Sequence, residues 1–167
     1  MNTSPAIIAI GANLGDPAAQ VRAAFAGVRD AFGAPDTFRA SSLWGSRPVG
    51  CPPGAPDFVN AACAFELPAH TPPLEILDLL QGLEAAAGRV RTVRNAPRLL
   101  DLDLVAFGAL EVALPRLSLP HPRAHERAFV ILPAAEVARE FALPGTDLQL
   151  AELARRVPGR DGLWRLT

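Results

Sequence analysis

Residues 98–108 read RLLDLDLVAFG, an apolar run that Asp101 and Asp103 interrupt. Residues i and i+2 of a β-strand lie on one face, so both carboxylates point one way while the alternating leucines point into a core. Two unpaired carboxylates are too costly to bury in an apolar interior, so their face must meet water or a ligand. Side by side on a rigid strand, the pair can hold a hard cation such as Mg²⁺. The alternative is a half-exposed strand with a solvated polar face.

Composition restricts the classes of function. The chain has 167 residues, of which 50% are hydrophobic and 20% charged, so we expect a single globular domain over residues 1–167. The net charge of −1 gives no basic field for a nucleic acid, and we expect no nucleic-acid partner. All 16 basic residues are arginine, which excludes a lysine Schiff base and a Walker-A lysine. Phosphate binding must therefore use arginine, backbone amides or a metal ion.

The sequence also favours a cytoplasmic location. The first residues lack the pattern of a secretory signal peptide, and no apolar stretch approaches the length of a membrane span. Cys51 and Cys63 are too few for a disulfide framework or a zinc site. We therefore expect a cytoplasmic protein without membrane contacts.

Apolar runs and helical stripes alternate along the chain in the order β-α-β-β-α-β. The predicted strands cover residues 6–10, 37–44, 58–66 and the aspartate run, and the two helices begin at the caps Asp16 and Thr71 and end near Gly33 and Gly88. This order is that of the ferredoxin-like split βαβ sandwich, an α+β fold. It predicts a mostly antiparallel sheet with helices on one face, and loops, arginines and aspartates on the other. An extended pair over 111–120 and helices over 127–137 and 148–156 follow.

Several long motifs carry a family resemblance: IAIGANLGD, SSLWGSRPVG, PDFVNAA, LEAAAGRVR, APRLLDLDLVAFG, LSLPHPRAHER and RAFVILPAAEVA. Over nearly its whole length the chain resembles the hydroxymethyl-dihydropterin pyrophosphokinases of folate synthesis. The resemblance implies transfer of the β,γ-pyrophosphoryl group of ATP to the hydroxymethyl group of 6-hydroxymethyl-7,8-dihydropterin, with release of AMP. It also implies two Mg²⁺ ions held by Asp101 and Asp103, ATP as co-substrate and a monomeric enzyme.

The resemblance further implies which residues contact the triphosphate and the metals. Phosphoryl transfer needs charge neutralisation and in-line positioning more than covalent help from the protein. Catalysis is expected from Asp101, Asp103, Arg91 and Arg98. The residues expected to bind ATP are Gln81, Glu84, Arg91, Arg98, Leu104, Arg116, Ser118, His121 and Arg127. Arg89 and Arg94 lie in the same arginine segment, which is expected to close over the nucleotide.

A flat aromatic ring such as a pterin needs stacking partners on its faces and hydrogen-bonding groups at its edge. The resemblance assigns stacking to Phe58 and Phe129, and the ring edge to Asn60, whose amide both donates and accepts. The segment Ser46, Arg47, Pro48 and Val49 is expected to add contacts from the loop after the second strand. Asn13 is expected either beside the metals or tying down its own turn.

Three other interpretations stay open at this point. One is a different Mg²⁺-dependent transferase with an Asp-x-Asp pair, although such enzymes commonly need a larger nucleotide domain. Another is a non-catalytic ligand-binding or RNA-binding module, and the third is a degenerate pyrophosphokinase that binds pterin without turnover. The chain departs from many relatives at Asn95, where they carry tryptophan, and at Pro122, where some carry tyrosine.

Overall fold

A six-stranded antiparallel sheet forms the centre of the computed structural model, which describes residues 2–88 and 99–166. Its strands are β1 (Thr3–Ala12), β2 (Arg39–Ala40), β3 (Trp44–Ser46), β4 (Phe58–Pro68), β5 (Asp101–Phe107) and β10 (Leu163–Arg165). They lie in the order β10-β3-β4-β1-β5, and β2 also pairs with β4. Two small hairpins join β6 (Val112–Ala113) to β7 (Ser118–Leu119) and β8 (Ala142–Leu143) to β9 (Leu148–Gln149). The helices are α1 (Pro17–Phe32), α2 (Pro73–Ala86), α3 (Ala128–Val137) and α4 (Leu150–Arg156).

Helices cover both faces of the sheet. One core cluster packs Ile8 and Ile10 of β1 against α1 and α2, and the other packs Ile7 and Ala9 against α3 and α4. The α+β class and the antiparallel sheet are confirmed, but the expectation of helices on one face is wrong. Residues 6–10 are apolar at every position, so both faces of β1 need cover from water. We call the α1–α2 side the first face and the α3–α4 side the second face.

Local signals explain where the first helix begins and ends. Asp16 caps α1, its carboxylate accepting a hydrogen bond from the Ala19 amide at 3.2 Å, and Gly33 ends the helix in the left-handed conformation. Both features were predicted. The predicted cap of the second helix is wrong, because α2 begins at Pro73 and Thr71 lies one residue before the capping position. Its hydroxyl donates to the Pro68 carbonyl at 2.7 Å instead.

The predicted strand over residues 37–44 is divided into β2 and β3. Ser41 lies at the break, and its hydroxyl oxygen accepts the hydrogen bond of the Ala62 amide at 2.8 Å. A side chain thus takes the place of a backbone carbonyl in the ladder. The chain then pairs again with β4 from Trp44.

A bulge interrupts the pairing of β5 with β1. Ile8 faces Leu104 and Ile7 faces Ala106, which leaves Val105 as the extra residue. Val105 and Ala106 consequently both lie in the second-face core. No helix in the described residues is long and apolar enough to cross a membrane.

Candidate active site

Asn60, Asp101 and Asp103 lie at one end of the second face. Trp44 pairs with Asn60, Asn60 with Gly11, and Gly11 with Asp101, so one row of residues crosses four strands. Residues paired across neighbouring strands have their side chains on the same face. Asp103 belongs to the next row, opposite Ala9. The sheet therefore places the amide of Asn60 and the two carboxylates on one surface, with a glycine between them.

Gly11 leaves the floor of this surface open. Among the residues that the structure describes, a Cβ atom at this position would meet only Asn60 Oδ1 within 4 Å, at 3.8 Å. Because Gly11 has no side chain, only the backbone of β1 lies between the amide on β4 and the carboxylates on β5. The apolar strand followed by GAN pointed to a turn, and the role of Gly11 as a floor was not predicted.

Asn60 is held in one orientation by strand β3. Its side chain is only 4% exposed, and Nδ2 donates to the Trp44 carbonyl at 3.3 Å and to Ser46 Oγ at 2.8 Å. An amide nitrogen carries two hydrogens, and both have partners within the protein. Oδ1, the atom nearest Gly11, is thus the group that faces the open floor as an acceptor. The structure brings together Asn60 and Ser46, which were both predicted to contact the pterin, and that role stays a prediction.

The predicted stacking residues flank this region. Phe58 pairs with Ser46 across β3 and β4 and is half-buried, on the same face as Asn60. Phe129 lies in the first turn of α3, half-buried, with the Arg127 guanidinium 5.7 Å from its ring centroid. Both aromatic rings are therefore partly accessible rather than sealed in the core.

The loop between β3 and β4 carries the remaining predicted pterin contacts. Arg47 and Val49 are exposed, Val49 to 84%, and Pro48 is half-buried. Asn13, which is buried, donates from Nδ2 to the Pro56 carbonyl at 3.3 Å and so ties this loop to the turn after β1. This contact agrees with a structural role for Asn13, while its predicted place beside the metals stays a prediction.

Asp101 and Asp103 are the residues suited to hold a divalent cation. Both are half-buried on the second face, as the alternation of β5 predicted. Within residues 2–88 and 99–166, no group of three or more His, Cys, Asp or Glu forms a metal cage. Mg²⁺ is commonly bound by one or two carboxylates together with waters and substrate phosphates, so a pair of carboxylates fits such an ion.

His121 and Arg127 lie near the two aspartates and add an imidazole and a guanidinium to that side of the site. The His121 amide donates to the Val105 carbonyl at 2.8 Å, which fixes the loop after β7 to β5. Burial lowers the pKa of His121, and the positive charge of Arg127 lowers it further, while Asp101 acts in the opposite sense. His121 Nδ1 accepts a hydrogen bond from the Arg123 amide at 3.4 Å, so the neutral ring carries its proton on Nε2 and can donate from there.

Arg127 lies at the start of α3 near the aspartates. Burial lowers its pKa first and Arg123 second, and the carboxylates of Asp103 and Asp101 partly offset this effect. A guanidinium nevertheless stays protonated in proteins, so a cation faces the carboxylate pair.

Arg116 and Gln81, both predicted to contact nucleotide, lie together. Arg116 Nη2 donates to Asp78 Oδ1 at 2.6 Å and to Gln81 Oε1 at 3.2 Å. Asp78 was not predicted, although it lies three residues before Gln81 on the same helix face. Ser118 is exposed on β7, and Glu84 is buried in α2 despite its charge.

Leu104, Arg91 and Arg98 were also predicted to contact the nucleotide. The side chain of Leu104 lies in the first-face core, opposite to Asp103, so only its backbone can face a ligand on the aspartate side. Arg91 and Arg98 lie outside the described residues, as do Arg89, Arg94 and Asn95. Their assigned roles stay predictions.

Glu136 near the end of α3 is a further contact that the sequence did not indicate. Its carboxylate accepts hydrogen bonds from Trp44 Nε1 at 2.6 Å and from the Ser42 hydroxyl at 2.8 Å. More than 90 residues separate Glu136 from either partner in the sequence, so no local pattern could reveal the contact.

Comparison with known proteins identifies the family of the chain. Residues 7–139 match the family model of 7,8-dihydro-6-hydroxymethylpterin-pyrophosphokinase (HPPK). A 2-amino-4-hydroxy-6-hydroxymethyldihydropteridine pyrophosphokinase of Pseudomonas aeruginosa is 43% identical over 162 residues, covering 95% of this chain and 94% of the relative. The enzyme of the same name from Haemophilus influenzae is 37% identical over 151 residues, covering 90% of this chain and 91% of that relative.

A solved structure supports the fold. The crystal structure of a Plasmodium falciparum HPPK-DHPS triple mutant with pteroate superposes with a TM-score of 0.68 at 11% identity. The match covers 98% of this chain and 47% of that one, so the chain spans about half the length of this structural relative. At such low identity the likeness concerns the fold alone. From the extent of the family match and the identity to the curated relatives, the chain belongs to the 7,8-dihydro-6-hydroxymethylpterin-pyrophosphokinase (HPPK) family.

Proposed function

We propose that this chain is a 2-amino-4-hydroxy-6-hydroxymethyldihydropteridine diphosphokinase. It transfers the pyrophosphoryl group of ATP to the hydroxymethyl group of 6-hydroxymethyl-7,8-dihydropterin and releases AMP. The observation that carries the proposal is the row in which Asn60, Gly11 and Asp101 pair across three strands. It sets a ring-edge acceptor and a carboxylate pair on one surface with open floor between them.

The Asn60 side supplies the pterin site. Asn60 Oδ1 accepts from an N–H at the edge of the ring, because both of its own amide hydrogens are already donated within the protein. Phe58 and Phe129 pack against the faces of the ring, and residues 46–49 add contacts from the loop. A ring held in this way points its hydroxymethyl group along the row toward Asp101.

The aspartate side supplies the triphosphate site. Asp101 and Asp103 would hold two Mg²⁺ ions, which would supply neutralisation of phosphate charge and a lower pKa for the attacking hydroxyl. Arg127 faces the same carboxylates as a cation, and neutral His121 donates from Nε2 to a phosphate oxygen. Arg116, Ser118, Gln81 and Glu84 contact the nucleotide, and Arg91 and Arg98 clamp the triphosphate bidentately. The proton of the attacking hydroxyl passes to a carboxylate, for which we favour Asp103.

The test is a nucleotide assay with a defined product. Purified chain, Mg²⁺ and ATP are incubated with and without 6-hydroxymethyl-7,8-dihydropterin, and the nucleotides are separated by chromatography. AMP that forms only with the pterin supports pyrophosphoryl transfer. ADP would indicate attack at the γ-phosphorus and contradict the proposal, and so would the absence of turnover despite pterin binding. Monomeric state, cytoplasmic location, a single domain and the lack of nucleic-acid or membrane partners stay predictions.

A further inference from the structure

Strand β3 is clamped to helix α3 through the side chain of Trp44. At the edge of its ring, Nε1 donates to Glu136 Oε1 at 2.6 Å, and over its face the Arg165 guanidinium lies 5.0 Å from the centroid. The other oxygen of Glu136 accepts from the hydroxyl of Ser42 at 2.8 Å and from its amide at 3.4 Å. One carboxylate thus accepts hydrogen bonds from Trp44, the first residue of β3, and from Ser42, two residues before it.

The clamp is coupled directly to the ring-edge acceptor. The Trp44 carbonyl and Ser46 Oγ are the two groups that receive the amide hydrogens of Asn60. Both belong to β3, a strand of only three residues that pairs with β4 on one side and with β10 on the other. A shift of β3 relative to the sheet would therefore rotate the Asn60 amide and redirect Oδ1 away from the floor at Gly11.

Helix α3 carries both Glu136, which holds β3, and Phe129, which is predicted to stack on the pterin. Phe129 lies in its first turn and Glu136 in its last, seven residues later. Residues i and i+7 of a helix share one face, about 10 Å apart along the axis. The same helix face thus presents a ring-stacking aromatic at one end and the anchor of β3 at the other.

We propose that Glu136 is a positioning residue for the pterin ring: it fixes β3 against α3 and so aims Asn60 Oδ1 at the ring edge. The inference rests on the proposed pterin site and deepens it. Glu136 touches neither substrate, and it acts through Trp44 and Ser42. Its loss is expected to weaken pterin binding selectively, because those predicted nucleotide residues that the structure describes lie on α2 and β5, around β7 and at the start of α3, away from β3.

The experiment measures two dissociation constants by calorimetry, one for 6-hydroxymethylpterin and one for ATP with Mg²⁺. For Glu136→Ala we expect pterin binding to weaken about five- to tenfold, the scale of one typical hydrogen bond, because the contacts of Glu136 are exposed to solvent, and ATP binding to stay within about twofold. Glu136→Gln keeps an oxygen that can accept from Trp44 and should restore most of the affinity. Glu140→Ala, an exposed glutamate four residues on, serves as the matched control.

Two further readouts separate positioning from general stability. In a Trp44→Phe background, which lacks the indole N–H, Glu136→Ala should cost clearly less pterin affinity than in the wild type. In a Trp164→Phe background, Trp44 is the single tryptophan of the chain, and its emission should change with Glu136→Ala and be largely restored by Glu136→Gln.

Each outcome has one meaning. Selective loss of pterin affinity with non-additivity supports the inference. Equal losses for pterin and ATP, or unchanged pterin affinity in Glu136→Ala, overturn it while leaving the proposed function intact. A wild-type chain that binds ATP but no pterin overturns the proposed function, and this inference with it.

Discussion

At the scale of single residues, the two aspartates of β5 have a different task from the residues around them. Leu102 and Leu104 are buried in the first-face core, and the aspartates point to the other side. Substitution of an aspartate therefore changes the chemistry of one face without disturbing the packing of the other. This separation makes the metal assignment testable by conservative replacement.

Asp101→Asn and Asp103→Asn keep the side-chain shape and remove the charge. We expect each to lower kcat by about a hundredfold or more, the scale of losing a transition-state charge contact, while pterin affinity is nearly unchanged. Turnover is measured as AMP formed, and pterin binding by calorimetry. Asp36→Asn, at an exposed turn, is the control. Wild-type turnover in both variants would remove the basis for the metal site.

Gly11 offers a residue-scale test of the pterin floor. In Gly11→Ala the new methyl meets only Asn60 Oδ1 among the described residues, so folding should be unaffected, as judged by thermal melting. The methyl enters the space proposed for the ring, and we expect a loss of about 1–3 kcal/mol in pterin binding free energy from overpacking. Gly82→Ala, where a Cβ meets nothing within 4 Å, should bind pterin normally. Unchanged affinity in Gly11→Ala would mean that the ring lies elsewhere.

At the scale of elements, the cap of α1 makes a defined contribution to stability. Asp16→Ala removes the acceptor for the Ala19 amide, and we expect the free energy of unfolding to fall by about 1 kcal/mol. Urea denaturation followed by circular dichroism measures the change. Asp36→Ala should change it by less than about 0.5 kcal/mol. Equal effects of the two substitutions would show that the cap contributes nothing specific.

Elements with strong local signals were predictable from the sequence. α1 has a capping aspartate, a proline at its first position and a glycine at its end, and β4 and β5 have long apolar runs. The division at Ser41 and the bulge at Val105 were not predictable, because a side chain in one case and a partner strand in the other decides the pairing. The prediction that Thr71 caps α2 was wrong because the two prolines that follow it move the start of the helix to Pro73.

The candidate site was predictable only in part, and for a similar reason. The alternation of β5 alone placed Asp101 and Asp103 on one face. The neighbours of Asn60 depend on strand register, which brings together residues from positions 11, 44, 60 and 101. Glu136 and Asp78 contribute through side-chain contacts between elements, and a linear pattern carries no information about these.

At the scale of the whole molecule, the rate at which each cysteine is chemically modified measures how readily the protein unfolds around it. Cys63 lies in the centre of β4 with no exposed surface, and burial raises the pKa of its thiol, while Cys51 lies in a half-exposed loop. Thiolates are the reactive form, so we expect iodoacetamide to modify Cys51 quickly in the native chain and Cys63 only on unfolding. Mass spectrometry across a urea series gives both rates. Fast labelling of Cys63 without denaturant would indicate that the sheet opens locally.

In the proposed site, Gly11 lies between Asn60 and Asp101, so the sheet fixes the length of a ligand that contacts both side chains. The backbone positions of Asn60 and Asp101 are two strand spacings apart, about 9.5 Å, an interval fixed by backbone hydrogen bonds that side-chain substitution does not alter. In the proposed site, a molecule bound to Asn60 therefore contacts the aspartates only with an atom that lies about this distance from its bound edge. A homologue one methylene longer would carry its hydroxyl past them. We therefore predict that, in the proposed site, discrimination by ligand length depends on the main chain and persists when residues of the surrounding loops are replaced.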